Sequence, residues 1–315
     1  MQHVTVVMNA ASGGLLGREG AAEEVAAQLR AVGLDARIIH ESDAPDLPAR
    51  LDLAIAAKPD AVIVGGGDGT ICAAAQRLAG TGIALGILPL GTMNMLAKDL
   101  GIPLELKAAA ETLAHGRVRA IDVAEVNGRV FLCNSVLGLP TALGRHRERH
   151  RGSTGLASRA RFLVAAFRTT LRHLPLHLRV AVGDEAPQGI RTRALAVANN
   201  AYAEGFGQVF TRARLDRGEL VLYRAHGFGL WWGAKMLAAM ALGIWRRRPE
   251  LEARATDRVT IHSRRPALRV MNDGEAVLLE PPLAYRIRPG ALRVIVPAAA
   301  AAPAEAATAA ASLGA

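Results

Sequence analysis

Cysteine is nearly missing from this chain. Cys72 and Cys133 are the only two, they lie far apart, and neither a CxxC spacing nor a His/Cys cluster surrounds them. No disulfide framework and no zinc site organises such a fold. Aromatic side chains make up only 4%, too few for the stacking platforms that single-stranded nucleic acid needs, so nucleic acid is set aside as a partner despite a net charge of +10. A clean membrane span is also lacking. The 19 residues from Gly227 to Trp245 are interrupted by Lys235 and closed by Arg246 to Arg248. They read as a core helix, or as a helix lying on a membrane with Trp231 and Trp232 at the interface. The opening MQHVTVVM carries no basic region or cleavage site and reads as a strand, which points to the cytoplasm.

What is present describes a globular body. Over 315 residues, 51% are hydrophobic and 21% charged, enough for one large or two ordinary domains. The charge is unevenly placed: 10 Lys+Arg against 13 Asp+Glu in residues 1–120, then 28 against 15 in residues 121–315. A basic second half fits an anionic surface such as phosphate headgroups; an overall preference for arginine, 34 against 4 lysines, explains the same count. The stretch Arg145 to Arg172 has eight Arg and a single acid, Glu148, with Phe162, Leu163 and Phe167 among them. It is either a membrane-facing segment or a solvated helix.

In residues 1–120, apolar runs alternate with Ala/Leu-rich helical stretches: Val4–Met8, 19–31, Ala36–Ile39, 47–57, Ala61–Val64, 71–78, Ile83–Leu88 and 92–100. Continuous buried-looking strands separated by helices predict a parallel sheet covered on both faces, whose ligands sit beyond the carboxyl ends of the strands. From Ile121 the rhythm changes. Asp122–Val126, Asn127-Gly128 and Arg129–Asn134 read as a type I′ hairpin. Further strands are predicted at 176–182, 190–198, 219–224, 258–262, 267–271, 276–279 and 292–296, a density that implies a mostly antiparallel second domain. Residues 298–315 are low-complexity alanine, read as a disordered tail.

Three strand ends carry polar glycine loops. The strand at 61–64 runs into Gly65-Gly66-Gly67-Asp68-Gly69-Thr70 and then a helix. Glycines here permit positive φ and close approach of a ligand, with N–H groups at a helix start that favours anions; a plain tight turn is the alternative. Asp68 in such a nest implies a divalent cation between carboxylate and phosphate. The second loop is Pro89-Leu90-Gly91-Thr92-Met93-Asn94, where Thr92 and Asn94 can donate to phosphate and Thr92 can cap a helix. The third begins at Asn9 and continues through Ser12-Gly13-Gly14.

GGGDGT at 65–70, PLGTMN at 89–94, Asn9 with its following Ser-Gly-Gly, and NDGE at 272–275 together resemble the diacylglycerol kinase catalytic domain, shared with sphingosine kinases and bacterial lipid kinases, over about residues 4–297. The resemblance implies an α/β nucleotide-binding domain at 1–120, to which 286–297 returns, and a β-sandwich lipid-acceptor domain at 121–285. It implies ATP and Mg²⁺ as cofactors and phosphorylation of a lipid hydroxyl in the cleft between the domains, at the inner face of the membrane. It further implies that Asn9, Gly65, Gly66, Gly67, Gly69, Thr70, Gly91, Thr92 and Asn94 bind the nucleotide and that Asp68 arranges the metal. Asp273 would be the general base, with Glu275 and Asp122 as further functional carboxylates. Asp273-Gly274 also reads as an ordinary hairpin turn.

Two departures stand out. Met95 occupies a position where many relatives have Asp. In 215–219 (LDRGE), Arg217 replaces an Asp that in some bacterial members binds a structural metal, and the Arg217 guanidinium would stand in for that cation by pairing with nearby oxygens. An NAD kinase and a catalytically silent, nucleotide-gated lipid-binding protein are the competing readings, and a homodimer is among the oligomeric states left open.

Overall fold

The computed structural model describes residues 3–9, 20–138, 141, 174–203, 210–226, 235, 238–239, 241–245 and 251–298. The Ser12-Gly13-Gly14 part of the first loop, the Arg145–Arg172 stretch, most of 227–250 and the alanine tail lie outside these residues. The chain divides into two units, Met1–Ala120 with the chain from Leu292 onward, and Ile121–Ala291.

The first unit is an α/β fold. Four strands, β1 (Val4–Met8), β2 (Ala36–Ile39), β3 (Ala61–Gly66) and β4 (Ala84–Pro89), pair in parallel in the order β2-β1-β3-β4. Every residue of β1, β3 and β4 is buried, as a sheet covered on both faces requires. The covering helices are α1 (Ala21–Ala31), α2 (Leu47–Ala56), α3 (Asp68–Leu78), α4 (Met95–Asp99) and α5 (Leu106–His115). Their starts are written locally. Asp46 accepts the Ala49 N–H at 2.8 Å with Pro48 in the first turn of α2. The Glu105 carboxylate accepts the N–H groups of Lys107 and Ala108 at the start of α5. Helix α5 has no counterpart in the sequence reading. It packs so tightly on β4 that a Cβ at Gly86 would lie 2.7 Å from Leu113 Cδ2 and 2.9 Å from Ile63 Cγ1.

The second unit is a β-sandwich. After β5 (Arg117–Val126), Asn127 and Gly128 turn at φ 48° and 78° into β6 (Arg129–Phe131), the expected type I′ hairpin. One sheet orders the first part of β16 (Leu283–Val296) beside β13 (Arg258–His262), β8 (Leu176–Val182) and β9 (Gln188–Thr192). The other orders β12 (Leu251–Thr256), β11 (Leu220–Ala225), β10 (Ala194–Asn199), β7 (Asn134–Gly138), β14 (Leu268–Asn272) and β15 (Glu275–Leu279), all antiparallel. The buried face of each strand meets in one core that includes Phe131, Leu178, Val197, Leu222, Ile261, Val270 and Tyr285. Phe131 and Tyr285 meet edge to face at 6.1 Å.

Two strand predictions are corrected. The run 190–198 is two strands in different sheets, because the chain turns a corner at Thr192, whose hydroxyl donates towards the Ala194 and Ala225 carbonyls. The final strand is longer than 292–296. It begins at Leu283, and its last residues pair in parallel with β4 through Arg293 and Val294.

Candidate functional site

In the first unit the loops after β1, β3 and β4 are joined to one another by hydrogen bonds. The Asn9 N–H donates to the Gly65 carbonyl at 3.0 Å and its Nδ2 to Thr70 Oγ1 at 2.9 Å. Leu90 N–H donates to the Gly66 carbonyl at 3.0 Å. Asp68, the first residue of α3, reaches across to accept the Met95 N–H on Oδ1 at 2.7 Å.

The glycines serve close approach and not left-handed backbone. None of Gly65, Gly66, Gly67, Gly69 or Gly91 has a positive φ, which corrects the expectation of a turn built on that freedom. A Cβ on Gly91 would sit 2.4 Å from the Gly67 Cα, and one on Gly66 would sit 2.5 Å from the Thr70 Cβ. The two loops are pressed backbone to backbone, with no room for a side chain between them.

Asn94 and Thr92 also depart from expectation. Asn94, buried and left-handed at φ 48°, is itself the N-cap residue of α4. Its Nδ2 donates to the Pro89 and Gly91 carbonyls, and its Oδ1 accepts the Gly91 N–H at 3.0 Å. The side chain is therefore spent on bracing its own loop. Thr92 is exposed and caps nothing. What the loops leave available is the N-terminus of α3. No side chain caps it, so the N–H groups of Asp68, Gly69 and Thr70 are the ones a helix leaves without internal partners, at its positive end.

In the second unit, two predicted carboxylates turn out to be structural hubs. Asp122 is buried. Its Oδ1 accepts the Gly290 N–H at 2.9 Å, and its Oδ2 accepts the Gly218 N–H at 2.6 Å and Asn200 Nδ2 at 3.1 Å. Asp273 forms the β14–β15 turn at φ 47°, followed by Gly274 at 92°, so the hairpin reading of Asp-Gly holds. Its Oδ2 accepts the Leu132 N–H at 2.6 Å, and its Oδ1 accepts those of Cys133 and Asn134 at 2.8 and 2.9 Å. Burial pushes the Asp273 carboxyl above the ordinary carboxylate range, while the three N–H donors and the Arg212 guanidinium pull the other way. A carboxylate so engaged keeps one lone pair, on Oδ2. Glu275, at the start of β15, is exposed.

The Arg217 expectation also changes. Its guanidinium, 54% exposed, stands 3.8 Å from Glu219 and replaces no buried cation; it is the backbone of this segment that is held, Arg217 N–H by Asn200 Oδ1 and Gly218 N–H by Asp122. The buried guanidinium belongs to Arg212, which sequence reasoning missed. It donates to the Leu132 and Asn199 carbonyls and, at 3.3 Å, to Cys133 Sγ. Beside it Asn134 Nδ2 donates to the Tyr202 hydroxyl at 2.9 Å, and burial raises that phenol. Nothing in the sequence separates Arg212 from the other arginines.

Among the described residues no three His, Cys, Asp or Glu side chains gather to hold a metal. Asp68 is half-buried and its Oδ1 is occupied by Met95, so it offers one carboxylate oxygen. That suits Mg²⁺, which takes one or two carboxylates together with phosphate oxygens and water. The uncapped, glycine-flanked start of α3 suits the phosphates.

Comparison with known proteins defines the class. The diacylglycerol kinase catalytic domain matches residues 3–126, and the YegS C-terminal NAD kinase beta sandwich-like domain matches residues 142–296. The chain belongs to the diacylglycerol kinase family. It is 31% identical over 308 residues to a diacylglycerol kinase of Mycobacterium tuberculosis, covering 93% of this chain and 95% of that protein. A probable lipid kinase YegS-like of Klebsiella pneumoniae is 39% identical over 112 residues, 35% of this chain and 38% of that one. Among solved structures, a putative diacylglycerol kinase from Bacillus anthracis shares the fold, with a TM-score of 0.71 at 20% identity over 94% of this chain and 97% of that one.

Proposed function

We propose that this kinase transfers the terminal phosphoryl group of ATP to a lipid hydroxyl, of the diacylglycerol or sphingoid kind, at the inner face of the cytoplasmic membrane. The observation that carries the reading is the uncapped N-terminus of α3, with Asp68 holding the second glycine loop against it. ATP, when bound with Mg²⁺, supplies the phosphoryl group and the metal charge.

The chain's own residues divide the remaining work. The N–H groups of Asp68, Gly69 and Thr70 face phosphate oxygens, and Asn9 fixes the Thr70 hydroxyl so that its proton points away from Asn9 Nδ2. The free oxygen of Asp68 takes the metal. A lipid alcohol is a poor nucleophile at neutral pH, and its proton needs a positioned carboxylate. Glu275, exposed and one residue beyond the Asp273-Gly274 turn, is assigned that role; Asp273, with its three backbone donors, holds the turn that presents it.

Labelled-ATP transfer over a panel of diacylglycerol, monoacylglycerol, phosphatidylglycerol, sphingoid base and ceramide tests the reading. Transfer to at least one lipid, with NAD inert as acceptor, supports it. ATP binding without transfer to any lipid would replace it with a nucleotide-gated lipid-binding protein.

A further inference from the structure

The outer face of β8, β9 and β13 carries a cluster of four arginines and two histidines with no carboxylate among them. The burial of β8 alternates, with Leu176, Leu178 and Val180 in the core and His177 and Arg179 outside. The register places Arg191 directly opposite His177, and His262 directly opposite Arg179. Arg264 and Arg265 follow β13 on the same groove, a half-open depression of about 760 Å³. On the other side of Arg179 the paired residue is Gly189, where a Cβ would meet nothing within 4 Å. That opening is not demanded by packing.

Among the described residues no carboxylate pairs with any of the six. The contrast lies in the turn between β8 and β9, where Asp184 pairs with Arg258 of β13 and Glu185 with Arg254 of β12. The segments 174–183, 186–200 and 259–272 hold no acidic residue at all. Leu174, three residues ahead of His177, is 75% exposed. An exposed apolar side chain just ahead of a basic strand face suits insertion at a membrane interface. The groove has no Phe, Tyr or Trp on which a base could stack.

We propose that this groove docks the phosphate headgroups of an anionic membrane, a lipid-binding surface separate from the nucleotide loops and independent of the phosphoryl-transfer reading. The test is sedimentation of the full chain, without ATP, on phosphatidylcholine vesicles with and without phosphatidylglycerol. Wild type should bind the anionic vesicles and not the neutral ones. Arg179→Glu with Arg191→Glu should weaken anionic binding at least about tenfold, and the milder Arg264→Gln with Arg265→Gln should weaken it several-fold with an unchanged thermal melt. A charge-matched control on the first unit, Arg37→Glu with Arg117→Glu, both exposed, should lose less than about twofold. Groove variants that bind anionic vesicles like wild type, or a matched control that loses as much as they do, would overturn the proposal. So would a duplex oligonucleotide that binds wild type as tightly as the vesicles do and is lost in the same variants.

Discussion

The Asp68 carboxylate accepts the Met95 amide N–H at 2.7 Å across 27 residues of chain, so one acid both starts α3 and fixes the second glycine loop. The two functions separate by substitution. Asp68→Asn keeps an oxygen for Met95 and removes the charge, so the fold should hold while lipid phosphorylation falls by about 10²-fold or more. Asp68→Ala should lose the activity and also about 1 kcal/mol of stability, the cost of a partly buried N–H left without its acceptor. Labelled-ATP transfer and urea denaturation measured on both variants check this. Equal stability losses in the two would mean that the oxygen does not hold Met95.

Gly91 gives a second test of the same loop pair. Its missing Cβ is what lets the Gly67 backbone approach, since an added one would lie 2.4 Å from the Gly67 Cα. Gly91→Ala should force the loops apart, weakening ATP binding at least about tenfold with a loss of about 1–3 kcal/mol. Gly189→Ala, where the Cβ meets open space, should leave stability within about 0.5 kcal/mol of wild type. Calorimetric ATP titration and thermal melts distinguish the pair.

Much of this architecture is legible from local pattern. The bounds of β1, β2, β8 and β13 coincide with the apolar or alternating runs that predict them, because burial writes itself residue by residue into a strand. Helix α5 was legible but missed: its buried face, Ala109, Ala110, Thr112 and Leu113, recurs at helical spacing, although three of the four are small or polar side chains. The glycine loops were legible as a site, but the reason for the glycines was not. Close approach between Gly67 and Gly91 is a tertiary fact, and the sequence suggested left-handed turns instead. Asp122 shows the same limit. Its partners Asn200, Gly218 and Gly290 lie 78, 96 and 168 residues away, and no spacing rule connects them.

The NDGE turn divides structure from chemistry. Asp273→Ala leaves the Leu132, Cys133 and Asn134 N–H groups without their acceptor, at about 1–3 kcal/mol for each one that water does not reach. Glu275→Gln touches an exposed side chain and should leave the melt unchanged while kcat falls by roughly 10²- to 10⁴-fold. An active Glu275→Gln enzyme would move the proton to another group.

Glu105 predicts a pH dependence. Its carboxylate accepts the Ala108 and Lys107 N–H groups at the start of α5, and these bonds hold its pKa below the usual glutamate value. A depressed folded-state pKa means that the cap stabilises above the unfolded value and is lost as pH falls through the folded one. Glu105→Gln should therefore melt lower than wild type at neutral pH, and the difference should close as acid protonates the folded-state carboxylate, below the ordinary glutamate range. A gap that persists there would assign the effect to packing.

Arg212 carries the last prediction. Its guanidinium is 3% exposed and joins the Leu132 carbonyl, from the segment whose amides Asp273 holds, to the Asn199 carbonyl at the end of β10. One terminal nitrogen, Nη1, donates to both carbonyls while Nη2 donates to Cys133 Sγ, a spread of acceptors that the fork covers and a single ammonium covers only in part. Arg212→Lys keeps the charge but loses one acceptor, and should cost about 1–3 kcal/mol. Arg212→Met removes all three of these bonds and should cost about 3–5 kcal/mol. Because the same guanidinium favours ionised Asp273, its loss should also shift the Asp273 carboxyl further upward. Carboxylate NMR titration of the lysine and methionine variants reads that shift directly, and an unmoved Asp273 resonance in Arg212→Met would break the proposed coupling between the two residues.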